Sequence, residues 1–174
     1  EFRRVLFRSM SWKIVLEQWS VERINQELAV LNRKPLYPRI LVLTMVALAG
    51  ASFCRLLGGD FVEMLACFVA SFAGLFVRQE AMKLKFNFYL CVFFASATAA
   101  LVSGFYFFFN PTLTYIHAFS TSVLFLIPGV PMMNSFSDLI DGNILNGITR
   151  GVNVLIIAFA IALGLLMGLL IYNF

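Results

Sequence analysis

The sequence predicts an all-α integral membrane protein: a bundle of five transmembrane helices preceded by a short amphipathic helix. Three observations carry this. Of 174 residues, 61% are apolar and only 13% charged, with a mean hydropathy of +0.89. Soluble domains hold roughly 45–50% apolar and about 25% charged residues, and so short a chain has too little interior to hide the excess. Five apolar stretches approach the ~20 residues that a spanning helix needs, and lysine and arginine gather in alternate connections between them. An ordinary soluble enzyme is excluded, as is a disordered chain, which needs low hydrophobicity and high net charge.

Residues 1–9 (EFRRVLFRS) hold three arginines against one glutamate and stand directly before Met10. They read as a non-native extension and lack the apolar core of a signal peptide. Residues 10–34 form an amphipathic cytoplasmic segment. Within it a helix is expected over 11–32, with Ile14, Val21, Ile24, Leu28 and Leu31 on one face and Lys13, Glu17, Glu22, Arg23 and Glu27 on others. Such a stripe seeks either a partner or the membrane surface.

Residues 35–174 form the five-span domain. The spans are expected at 40–57, 61–77, 86–108, 112–127 and 147–172, the fourth being short and polar. Their breaks are Gly58-Gly59-Asp60, the charged run 78–85, Asn110-Pro111, and Pro128-Gly129-Val130-Pro131, residue types that favour turns. Arg33, Lys34, Arg39, Arg78, Lys83, Lys85 and Arg150 fall on one side, whereas the other holds only Arg55, beside Asp60 and Glu63. The positive-inside rule then sets the N-terminus in the cytoplasm and the C-terminus outside.

Chemistry concentrates from span four onward. Thr114, His117 and Thr121 share a helical face, with Ser120 nearby. An imidazole can exchange a proton at working pH; a packing histidine is the plainer reading, and serine or threonine can satisfy itself on the i−4 carbonyl. Pro128, Gly129 and Pro131 should break the helix at or near the cytoplasmic membrane boundary; freed backbone groups survive in hydrocarbon only inside protein or along a watery cavity, and a sharp stop at the lipid interface is the plainer reading. The next residues, 132–141, read as a short amphipathic helix with Asn134, Asp138 and Asp141 on its polar side. Asp138 suits a substrate ammonium, an ion pair with Arg150 or proton exchange, and equally a solvated face. Gly147/Gly151 and Gly164/Gly168 have the spacing that lets helix backbones approach closely.

Other chemistries lack a signature. Cys54, Cys67 and Cys91 show no CxxC spacing, and a lone histidine builds no multi-histidine metal site. No GxSxG, HExxH or Walker loop occurs, so neither an enzyme nor a cofactor is expected. No basic patch interleaved with aromatics suggests nucleic acid. No internal repeat is visible, and five spans cannot form two inverted halves, so a transporter would need a second subunit or a homo-oligomer.

The run IPGVPMMNSFSDLIDGNILNGITRG, 127–151, resembles the signature region of the bacterial threonine/serine exporter family. The matching positions are Pro128, Gly129, Pro131, Asn134, Asp138, Leu139, Gly142, Gly147 and Arg150, and PLYPR (35–39) and GGD (58–60) are also similar. The resemblance implies proton-driven export of threonine and serine across the bacterial inner membrane. It further implies that the chain is the larger component of a split exporter working with a separate small membrane subunit. A longer cytoplasmic N-terminal domain is usual in that family. As a transporter, the chain would have Pro128, Gly129, Pro131, Asn134, Asp138, Arg150, His117 and Thr121 along its transport path, with Asp138 and Arg150 as charged gate or substrate-pairing residues and His117 as the outer candidate for proton coupling. A non-transporting scaffold that stabilises a membrane partner is the rival reading.

Overall fold

The structure is a computed structural model and describes residues 11–26, 37–105 and 116–172. It divides into two units, Glu1–Pro38 and Arg39–Phe174, which are taken separately.

In the first unit the expected single helix is broken: residues 11–17 and 21–26 are helical. Gln18 takes a φ of 47°, a left-handed conformation that cannot continue a right-handed helix. Ser20 restarts the helix by accepting the Arg23 N–H at 3.4 Å, as an N-cap serine does. The elbow is braced locally by Trp19 Nε1 donating to Glu17 at 2.7 Å and by the Arg23 guanidinium 4.5 Å from the Trp19 ring centre. Residues 27–32 of the expected helix lie outside the described residues.

The second unit contains α1 (Arg39–Leu56), α2 (Phe61–Lys83), α3 (Phe88–Phe105), α4 (Ile116–Thr121), a 3-10 turn (Leu124–Leu126), α5 (Gly129–Ile140) and α6 (Ile144–Tyr172). Helices α1, α2, α3 and α6 are each long and apolar enough to cross a membrane. The stretch His117–Leu126 and α5 are bent by 63° at Pro128 and make a fifth crossing when counted as one span. Among the described residues every element is helical.

Contacts fix the direction of each helix. Arg39, at the start of α1, donates to Gln79 and Glu80 near the end of α2, so those two are antiparallel. Gly74 of α2 abuts Ala95 and Ala99, and Arg78 lies over Phe88, so α3 is antiparallel to α2. Tyr89 bonds Asn153, Ser96 bonds Ile161 and Tyr172 bonds Leu101, so α3 and α6 are parallel. Cys67 meets Thr121, Ser71 meets Ser122 and Gly74 meets Phe125, so the α4 segment runs alongside α2 in the same direction. The bent segment thus carries the chain back between α3 and α6. Arg39, Arg78, Lys83, Lys85 and Arg150 all fall at one end, called here the basic end.

Three boundaries differ from expectation. Helix α2 runs through the charged residues to Lys83, because Arg78–Lys83 contains no glycine, proline or β-branched residue and Glu80 sits 3.1 Å from Lys83 one turn on. The turn comes only at Lys85, with φ 60°. Helix α5 begins at Gly129 and takes Pro131 into its first turn, where a missing N–H costs nothing. Among the described residues, span four has regular α-helix over Ile116–Thr121 before the chain tightens into the 3-10 turn; residues 112–115, like 106–108 of span three, lie outside the described residues.

Small side chains form the interior, as expected where lipid supplies no hydrophobic drive between helices and backbone proximity does the work. Ala95, Ala99 and Val92 of α3 meet Ile157, Ala160 and Ile161 of α6. All three cysteines are buried and free, and Cys54 packs with Cys67 and Ala118. Gly142, in the turn after α5, has φ +80°. Gly142→Ala is therefore expected to lower stability by about 1 kcal/mol, measurable as a reduced Tm in detergent; an unchanged Tm would show that the turn adapts.

Candidate functional site: a broken span and its polar seam

The broken span is held by a line of small polar groups. Thr121 Oγ1 donates to the His117 carbonyl at 2.6 Å and lies 3.2 Å from Cys67 Sγ. Ser71 Oγ donates to the Ser122 carbonyl at 3.1 Å, just where α4 gives out. The Ser122 carbonyl thus finds its partner inside protein, the condition under which broken backbone is tolerated in a bilayer. On α2 the seam residues Glu63, Cys67 and Ser71 recur every four positions, one face of the helix.

Beside the bend lies a partly open cavity of about 300 Å³, lined by Val46, Ala49, Gly50 and Phe53 of α1, Ser71 of α2, and Leu124 and Phe125. That is the lower end of small-ligand pocket sizes. Its wall is apolar apart from Ser71. None of the sequence-nominated residues lines it.

A second cluster joins α5 to α6. Asp138 Oδ2 lies 2.6 Å from Arg150 Nη1, an ion pair by distance. The N–H does not align on that oxygen, so Oδ2 is shielded from solvent without a well-directed hydrogen bond. The Asp138 side chain is 20% exposed, the Arg150 side chain 52%. Alongside, Ser135 Oγ donates to the Gly147 carbonyl at 2.7 Å, and a Cβ on Gly147 would fall 2.6 Å from Leu139. The family model that matches this chain spans residues 5–172 and describes the threonine/serine exporters, ThrE.

The chain belongs to the threonine/serine exporter family. Two curated relatives, both named "Probable succinate transporter subunit YjjP", are similar over most of it. The one from Escherichia coli K12 is 33% identical over 142 residues, covering 79% of this chain and 54% of the relative. The one from Klebsiella aerogenes is 32% identical over 146 residues, covering 80% and 55%. The chain spans about half the length of the curated relatives it matches. No solved structure matches it. The family match and the four or five apolar helices together make this a multi-pass membrane protein.

Within this exporter-family chain the nominated residues fall into two groups. Pro128, Gly129 and Pro131 open α5, Asn134 is exposed one turn on, and Asp138 reaches Arg150 across the hairpin. His117 and Thr121 lie before the bend, in α4; Thr121 is buried against α2 and His117 half-buried. Thr114 lies outside the described residues. Sequence reading missed Glu63, Cys67, Ser71 and Ser122. The available signal was Glu63, the single acidic residue inside the apolar run 61–77, since ionisable side chains at membrane depth are rare and usually functional. Gly129 has no atom within 4 Å of an added Cβ and no positive φ. Gly129→Ala is expected to leave Tm unchanged; a fall of several degrees would reveal a constraint on this residue.

Proposed function

We propose that the chain is the membrane part of one subunit of a secondary transporter that exports threonine and serine across the bacterial inner membrane, driven by the proton gradient, together with a second small membrane subunit. The observation that supports it is the broken span: a 63° bend, held to α2 through the Ser122 carbonyl, beside a cavity of about 300 Å³. Broken helices at membrane depth build transport sites because they offer backbone groups and can rock as units. The basic end faces the cytoplasm on this reading, and the C-terminus the outside.

The Asp138–Arg150 pair narrows the chemistry. Asp138 is largely covered while half of Arg150 faces outward, so the pair offers solvent a guanidinium. A planar cation of that kind selects carboxylates. Threonine and serine carry one carboxylate; succinate, in the relatives' printed name, carries two and is the second substrate reading. The scaffold reading loses much of its support, because Gly147 and Gly151 are engaged by α5, and Gly164 and Gly168 by α3.

The test is radiolabelled flux in proteoliposomes holding the full-length protein, with and without the partner subunit. Threonine or serine flux that needs both subunits is expected. Succinate flux alone would overturn the substrate, and no flux of any of the three would overturn transport in favour of the scaffold.

A further inference from the structure

Glu63 is an acidic residue inside the bundle that the reading above leaves without a task. Its side chain is 4% exposed. One oxygen, Oε2, accepts the Asp60 N–H at 3.0 Å, the return half of a capping box at the start of α2. The other, Oε1, is fully shielded and has no hydrogen-bond partner. Among the described residues no lysine, arginine or histidine makes an ion pair with it. Arg55, the nearest cation in sequence, spends its guanidinium on the Gly59 carbonyl at 3.1 Å.

Its surroundings are small and polarisable. A Cβ on Gly59 would meet Cys54 Sγ at 2.6 Å and Glu63 Oε2 at 3.0 Å, so the turn between α1 and α2 closes directly over the carboxyl. The titratable or charged groups nearby are Cys54 and Arg55 of α1, Asp60 in the turn, Cys67 on α2, and His117 of α4, which precedes the Ala118 packed on Cys54 and Cys67. From Glu63 the seam continues through Cys67 to Ser71, about 12 Å along the helix, and Ser71 is the polar side chain in the wall of the cavity. Glu63 stands at the end opposite the basic one, one turn inside the exposed Asp60.

We propose that Glu63 is the proton-binding residue of the transport cycle, taking its proton from the side opposite the basic end. An uncompensated anion in such a place is costly, so a bound cation is stabilising. The donor set selects the proton, because thiols and hydroxyls do not form the oxygen cage that alkali or alkaline-earth ions need, and no cluster of three metal-ligating residues is present among the described residues. Binding forms an O–H bond on the free oxygen and removes the negative charge; release on the other side restores it. Placement on α2, whose seam holds the broken span through Thr121 and Ser122, couples that charge change to the bend. The proposal rests on the transporter reading for its cycle, but proton binding is tested independently.

Glu63→Gln separates the role from the fold, because glutamine still serves a capping box and mimics the protonated acid. The full-length protein in lipid vesicles is titrated by infrared difference spectroscopy. Wild type should show a protonated-carboxyl C=O stretch that disappears as pH rises, absent from Glu63→Gln and retained in Glu80→Gln, with all three sharing one Tm. Identical difference spectra in wild type and Glu63→Gln would overturn the proposal. In proteoliposomes with the partner subunit, Glu63→Gln should keep substrate exchange and lose at least about tenfold of pH-gradient-driven flux, a factor equivalent to 1.4 kcal/mol. Gradient-driven flux at the wild-type rate would also overturn it. A Glu63 band without flux in wild type would sink the transporter reading and the cycle built on it while leaving the proton site.

Discussion

Asp138→Asn is expected to abolish threonine efflux from cells while membrane insertion and Tm stay near wild type. Asp138 and Arg150 are the charged pair that ties α5 to the long helix α6. Half of the Arg150 side chain is solvated, so the pair contributes only about 0–1 kcal/mol to folding, and the Ser135–Gly147 hydrogen bond still holds the hairpin. Transport depends on something stricter than stability. With the carboxylate gone, Arg150 loses the partner that positions its guanidinium and balances its charge. A loss of roughly tenfold or more in flux, the factor corresponding to about 1.4 kcal/mol, is the expected scale. Efflux assays of labelled threonine and serine, with insertion checked by membrane fractionation, decide it. Wild-type efflux would remove Asp138 from the mechanism.

Gly164→Leu should cost the most stability of any change considered. Even a Cβ at this position would lie 2.7 Å from the Ala97 amide nitrogen and 2.7 Å from Ser96 Cβ. The Ala97 nitrogen is backbone and the Ser96 Cβ is fixed to it, so neither can rotate aside. Relief requires α3 and α6 to separate, which breaks the Ser96–Ile161 hydrogen bond at 2.7 Å and loosens the Val92, Ile157 and Ala160 contacts. Overpacking costs about 1–3 kcal/mol where a core can adjust, and a lost buried hydrogen bond adds about 1 kcal/mol. A Tm lowered by well over 5 °C, or failure to accumulate in the membrane, is expected by fluorescence-detected gel filtration. A wild-type Tm would show that α3 and α6 do not pack through this glycine.

Helix packing also shows where local reading stopped short. The charged run 78–85 predicts the end of span two, yet the helix continues through it to Lys83, because helix propensity there remains high. The helix breaks at Pro128 as its residues predict, but the next helix starts at Gly129 rather than Met132, because a proline in the first turn forfeits no intrahelical bond. The stripe at 11–32 was legible, while the break at Gln18 was not, because glutamine is an ordinary helix former and nothing in its type signals φ 47°.

By itself the sequence determined that this protein lives in lipid, which apolar stretches make its spans, which connections carry positive charge, and which family signature it bears. Each of those depends on residues adjacent in the chain, since hydropathy, turn chemistry and glycine spacing act over one element at a time. Only the tertiary structure decided that α3 and α6 run in parallel, that Asp138 meets the half-exposed Arg150, and that Glu63 is sealed with no counter-cation among the described residues. Those facts depend on which faces of distant helices meet. Between spans of similar greasiness, that choice is made by the fit of small side chains and a few buried hydrogen bonds, interactions too short in range to be read before the helices are placed.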